Sequence, residues 1–159
     1  MTTINFCVKG AESIVEEFYG YVWHGQYLPK DAGEITVQQP GQNPITFRRS
    51  TEEKADGIIL VYDGENQTSW NCIVPFLNNR EKPTVIASWR TTKNISGTDK
   101  YVELVPKECS FVDERFLDWP HYCLIFCEDI WQCLGDIAEN KLGHKVGDLV
   151  YHMSAAYWG

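Results

Sequence analysis

The chain has 159 residues, 43% of them hydrophobic and 23% charged, which is one domain's length and enough to bury a core without metals or disulfides. Its formal net charge of −8 repels phosphate backbones and argues against direct nucleic-acid binding, while it suits either solubility or a basic protein partner. No run approaches the ~20 apolar residues of a membrane span. Met1–Phe6 has neither a basic start nor a long apolar stretch. The expectation is a soluble, cytoplasmic protein with reduced thiols, so the six cysteines are not read as a disulfide framework.

In chain order, the first helix is expected over 10–24, where Ala11, Ile14, Val15, Phe18, Tyr19 and Val22 recur at three- and four-residue spacing. Ser13 with Glu16 has capping-box spacing, and Gly25 ends the run. "EITVQQ" and "PITFRR" have the alternation of short strands. "GIILVY", 57–62, is apolar on both faces and belongs at the centre of a sheet. Asp63-Gly64 is a strong turn dipeptide, so 63–68 reads as a hairpin connection leading into a strand over 69–76, "SWNCIVPF".

"TVIASW", 84–89, follows as a strand, 91–99 as a loop, and "KYVELV", 100–105, as a short strand. Residues 110–118 have helical character and stop at Trp119-Pro120. "HYCLIFC", 121–127, fits either a buried strand or a helix entry. The helix entry is preferred because Ile130, Cys133, Leu134 and Ile137 continue at helical spacing up to Gly143. A last strand is expected over 146–152. With strands in the middle and helices at the flanks, the chain is expected to form a single domain over 1–159. Its class is α+β: one twisted, mainly antiparallel sheet with helices on one face.

The chemistry-bearing residues form no decisive motif. Cys123 and Cys127, with His121 nearby, have the spacing of one zinc knuckle, but a matching second pair is missing, and packing of small apolar thiols is the preferred reading. Neighbouring acids such as Glu52-Glu53 and Asp113-Glu114 do not face one another on a helix, so they fit a solvated face better than an acid–base pair. The chain has no G-x-S-x-G, HExxH, G-x-x-x-x-G-K-[ST] or G-x-G-x-x-G motif. In the triplet Glu65-Asn66-Gln67, the carboxamides suit a turn and the carboxylate can accept loop N–H groups, so a structural role is preferred to a catalytic one.

An apolar strand followed by E-N-Q, a Trp shortly after, a short strand and then P-x-V resembles the SUKH superfamily, which includes fungal cell-wall-synthesis regulators, bacterial toxin-immunity proteins and viral members. The matching pieces are 57–62, Glu65-Asn66-Gln67, Trp70, Ile73, Pro83, Val85 and Trp89, with Phe116-Leu117 in a similar late helix. The resemblance covers roughly residues 14–120. It departs from the family pattern at Leu28-Pro29, which follows the first helix instead of preceding it. The resemblance implies an α+β fold, a binding role without catalysis, and Glu65, Asn66, Gln67 and Trp70 as a structural motif.

The leading expectation is a non-catalytic protein-binding module, an immunity or antagonist protein that neutralises a basic partner, for instance a nuclease, by occlusion. A viral antagonist of a host defence factor with the same fold is one alternative, and a small Cys/His-dependent enzyme is another. No cofactor or metal is expected, and no catalytic residue is assigned. The interface candidates, chosen by residue type, are Trp89, Trp119, Tyr157 and Trp158 with the acids Glu52, Glu53, Asp113 and Glu114. Trp23, Trp70 and Trp131 sit in stretches read as core.

Overall fold

A computed structural model describes residues 2–24, 33–37, 43–64, 66–77, 81–89, 92–94, 101–103, 121–124 and 127–143. The elements are β1 (Thr2–Gly10), α1 (Glu12–His24), β2 (Glu34–Val37), β3 (Ile45–Arg49), β4 (Gly57–Asp63), α2 (Gln67–Ile73), β5 (Thr84–Trp89), β6 (Thr92–Asn94), β7 (Tyr101–Glu103), β8 (His121–Leu124) and α3 (Cys127–Leu142). A single 3-10 turn, Val74–Phe76, extends α2.

The described residues build one six-stranded sheet in the order β2-β3-β1-β4-β5-β8, and β6 pairs with β7 apart from it. The α+β class holds in its coarse form, a sheet with helices packed on it, but two details are corrected. First, the sheet is mostly parallel: β1 pairs in parallel with β3 and β4, β4 with β5, and β5 with β8, leaving only β2–β3 antiparallel. The expected antiparallel meander followed from reading 69–76 as a strand. That segment is α2 and the 3-10 turn, so β4 and β5 are joined by a helical crossover, as parallel strands require.

Second, helices cover both faces. On one face Ile14, Phe18 and Tyr19 of α1 and Cys133, Leu134, Ile137 and Ala138 of α3 pack on Ile4, Phe6, Val8, Ile59, Val61, Val85 and Ala87. On the other, Trp70 and Ile73 of α2, with Leu77, pack on Ile58, Leu60, Tyr62 and Ile86. The alternation of side chains along a strand makes this possible. β4 is apolar at successive positions and is therefore buried on both sides, as its sequence indicates.

The other expectations divide by segment. β2, β3, β5 and β7 lie within the expected strands, and β4 runs one residue past 57–62, to Asp63. β1 was not anticipated, although Ile4, Phe6 and Val8 alternate in it. Residues 121–124 form β8 instead of a helix entry, and β6 lies inside the stretch read as a loop. α1 begins at Glu12, and Ala11 supplies the carbonyl that accepts from Ile14 and Val15 at 3.0 Å each. Ser13 is therefore inside the helix, and Glu16 pairs with Arg49 at 3.1 Å in place of closing a capping box. The helix expected over 110–118 and the strand over 146–152 lie outside the described residues.

The join between β3 and β4 is short. It spans residues 50–56, with no helix, although parallel strands usually need a crossover of a dozen residues or more. It can be short because Arg49, ending β3, and Gly57, starting β4, both stand opposite Phe6 of β1. The chain has only to step sideways across one strand. Ser50 N–H donates to Phe6 O at 2.9 Å and Asp56 N–H to Asn5 O at 2.8 Å, which ties both ends of the step to β1. The Asp56 carboxylate accepts from Asn5 N–H at 2.8 Å and lies 2.9 Å from the Lys141 ammonium of α3. Gly57 lets α3 approach, since a Cβ there would stand 2.7 Å from both Cγ atoms of Ile137.

Where β3 stops, Val8 loses its neighbour on that side. The Tyr19 hydroxyl of α1 takes the place of the missing strand and accepts the Val8 N–H at 3.0 Å. Arg49 lies 3.8 Å from the centre of the Tyr19 ring. Burial pushes the Tyr19 phenol up from 10.0 to about 12. Its neutral form is thus favoured in the folded state, and that contribution is complete below pH 10 and is lost as pH rises towards 12. Tyr19→Phe strands a buried donor and is expected to cost about 1–3 kcal/mol at neutral pH by urea denaturation. It should also remove part of the loss of stability between pH 10 and 12 that the parent protein shows.

Candidate functional site

The segment between β4 and α2 contains the triplet singled out in the sequence. Asn66 is the N-cap of α2: its backbone is extended, and its side-chain oxygen accepts Ser69 N–H at 3.2 Å. Ser69, buried, locks the turn. Its Oγ donates to Asn66 O at 2.6 Å and accepts Asp63 N–H at 2.8 Å. Gln67 is exposed in the first turn of the helix, and Glu65 lies outside the described residues. Trp70, one turn on, is buried edge-on against Tyr62, with ring centres 5.0 Å apart. Asn66, Ser69 and Trp70 thus anchor a strand-to-helix turn, and the hairpin expected here is not formed.

In chain order the parallel strands run 2-1-3-4-5 across the sheet (β3, β1, β4, β5, β8), the order of a flavodoxin-like doubly wound sheet. Such sheets take ligands in the crevice at the carboxyl ends of the strands, where the winding direction reverses. Here that point lies between the ends of β1 and β4, at Gly10 and Val61. The connection from β1 to α1 is Ala11 alone, too short to form a phosphate-cradling loop. A Cβ on Gly10 would stand 2.3 Å from Val61 O and 3.7 Å from Ile73 Cγ2. The fully buried Ile73 of α2 thus lies beside the Gly10–Val61 pair. The first turn of α1 carries Glu12, whose charge opposes an anion at the helix start.

Of the eight interface candidates, the structure brings two together. Glu52 and Glu53 sit in the step between β3 and β4, on the rim of an open cleft of about 330 Å³ that Ile58, Glu81 and Lys82 complete. Lys82 donates to the carbonyls of Glu52 and Glu53, the latter at 2.7 Å. The Glu52 carboxylate lies 3.7 Å from Lys9 Nζ, and that ammonium lies 5.7 Å from the centre of the Phe76 ring. Trp89 is placed by its backbone at the end of β5, opposite Asp63 and Leu124. Trp119, Tyr157, Trp158, Asp113 and Glu114 lie outside the described residues.

Glu81 and Lys82 belong to "NNREKP", whose composition marks a turn and gives neither residue a role. Lys9 and Phe76 were passed over because nothing in their spacing brings them together. Asn66 did carry a signal, since Asn before an apolar run at helical spacing is a favoured helix N-cap.

Among the described residues no three His, Cys, Asp or Glu side chains assemble as metal ligands. Cys7 and Cys133 are buried, and Cys72 is exposed on α2. Burial pushes the Cys7 thiol up, with Lys9 pulling it back, so this cysteine is held as a thiol and is not an activated nucleophile. No helix among the described residues is long and apolar enough to cross a membrane. Comparison with protein-family models and with curated proteins returned no match.

Two outcomes are expected from this geometry. Gly10→Ala should lower stability by about 3 kcal/mol in urea denaturation, since its Cβ cannot fit without parting β1 from β4. Native-state labelling with a maleimide, read by peptide mass spectrometry, should modify Cys72 quickly and spare Cys7 and Cys133 until the protein is unfolded.

Proposed function

We propose that this chain is a non-catalytic protein-binding module of the immunity or antagonist kind, which neutralises a basic protein partner by covering its surface. One observation carries the reading. At the point where a doubly wound sheet would admit a small ligand, the connection from β1 to α1 is Ala11 alone, Glu12 opens the helix, and the fully buried Ile73 lies beside Gly10. Recognition is thereby left to the outer surface. That surface belongs to a chain of net charge −8, which favours rapid encounter with a positively charged protein. Nucleases are the leading partner class, because a protein built to hold nucleic acid presents the complementary field. The reading stands on these grounds without the SUKH resemblance.

The test mixes the purified chain with basic nuclease toxins, including products of genes adjacent to its own. Complex formation is followed by size-exclusion chromatography and nuclease activity by substrate cleavage. The expected result is a stable complex with stoichiometric inhibition, an association rate that falls steeply with added salt, and no change in melting temperature with mononucleotides. Turnover of a small molecule, with no protein complex formed, would overturn the proposal.

A further inference from the structure

Residues 50–56, "STEEKAD", pass from β3 to β4 across β1 and differ from the sheet in what holds them. Among the described residues, none of their side chains belongs to either apolar cluster; even Ala55, which is buried, joins neither. A segment that adds so little to the core is held by hydrogen bonds and ion pairs, and such segments open at a lower cost than the strands beneath them.

The ends of the step are tied to β1 by the Ser50 and Asp56 amides. Its middle is gripped by ammonium groups from other elements. Lys82, ahead of β5, donates to the carbonyls of Glu52 and Glu53, the latter at 2.7 Å. It caps the turn in which Lys54 N–H donates to Thr51 O at 3.2 Å and Ala55 N–H to Glu52 O at 3.4 Å, as a lysine does for the last carbonyls of a helix. Lys9 of β1 lies 3.7 Å from the Glu52 carboxylate. Lys82 holds backbone and Lys9 holds a side chain, so Lys82 fixes the course of the chain.

Beneath the step lies Cys7. It stands opposite Ile58, so both point to the second face of the sheet, and Ile58 borders the cleft with Glu52 and Glu53. Cys7 is 6% exposed, yet it too belongs to neither apolar cluster. Burial pushes its thiol up, and the charges that act on it are those of Lys9, Glu52, Arg49 and Lys82. The step and the lysines that grip it therefore shelter this thiol.

We infer that residues 50–56 form a strap over Cys7 that opens as a unit while the sheet stays folded, and that the Lys82 ammonium is the latch that keeps it shut. Loss of the Lys82 charge is the input that frees the strap, and exposure of Cys7 is its readout. The inference is independent of which partner the chain takes.

The test compares native-state maleimide labelling of Cys7 and Cys133, read by peptide mass spectrometry. Cys133 lies in the apolar layer of the opposite face and reports unfolding of the sheet. Lys82→Met should speed labelling of Cys7 at least tenfold and change that of Cys133 less than twofold. Lys82 lowers the pKa of the thiol, so removing its charge would by itself slow the reaction, and a faster rate means access. Lys54→Met takes the same charge from the strap itself and should change Cys7 labelling less than twofold. Lys9→Met removes the ion pair to Glu52 and should speed Cys7 severalfold with Cys133 unchanged; it decides alone if circular dichroism shows Lys82→Met to be unfolded. A Cys7 rate that does not rise, a rise shared equally by Cys133 in a folded variant, or equal acceleration by Lys54→Met overturns the strap.

Discussion

Phe6 is held between two parallel neighbours, with Arg49 opposite it on one side and Gly57 on the other. That double pairing constrains the whole sheet. It brings the end of β3 and the start of β4 to one level, so residues 50–56 can join them by a sideways step. The step removes the need for a crossover helix and leaves the second face to α2 alone among the described helices. It also ends β3 two residues short of Val8, which is why a tyrosine hydroxyl from α1 completes the hydrogen bonding there. Cleft, strand order and the Tyr19 contact all follow from where one phenylalanine sits.

The strands that read clearly in the sequence are those whose side chains report their surroundings directly. β4 is apolar at every interior position because both of its faces are covered, and β3 shows Phe47 turned inward with Arg48 exposed. Sheet direction was not legible, since it depends on what joins the strands. The decisive joint, 67–76, is a short apolar run in which helix and strand patterns overlap. Trp70, Ile73 and Leu77 do fall at helical spacing, but the strand character of the adjoining run and the Asp63-Gly64 turn signal pointed to a hairpin. β1 was missed for the opposite reason: its alternation is plain, yet Asn5, Cys7 and Lys9 between the apolar positions dilute it.

The candidate site was partly legible. Glu52 and Glu53 were chosen as exposed acids, and they stand on the cleft. Their neighbours Lys9, Phe76, Glu81 and Lys82 come from three other stretches of chain, and only the fold unites them. The E-N-Q triplet attracted attention for its polarity between apolar runs. Its described part works as a helix start, with Asn66 capping and Ser69 fastening the turn.

β4 belongs to both apolar layers at once, with Ile59 and Val61 in one and Ile58, Leu60 and Tyr62 in the other. A strand shared in this way is a mechanical keystone. Neither layer can loosen around it while the other stays intact, so the two halves of the interior are bound to melt together as one cooperative unit.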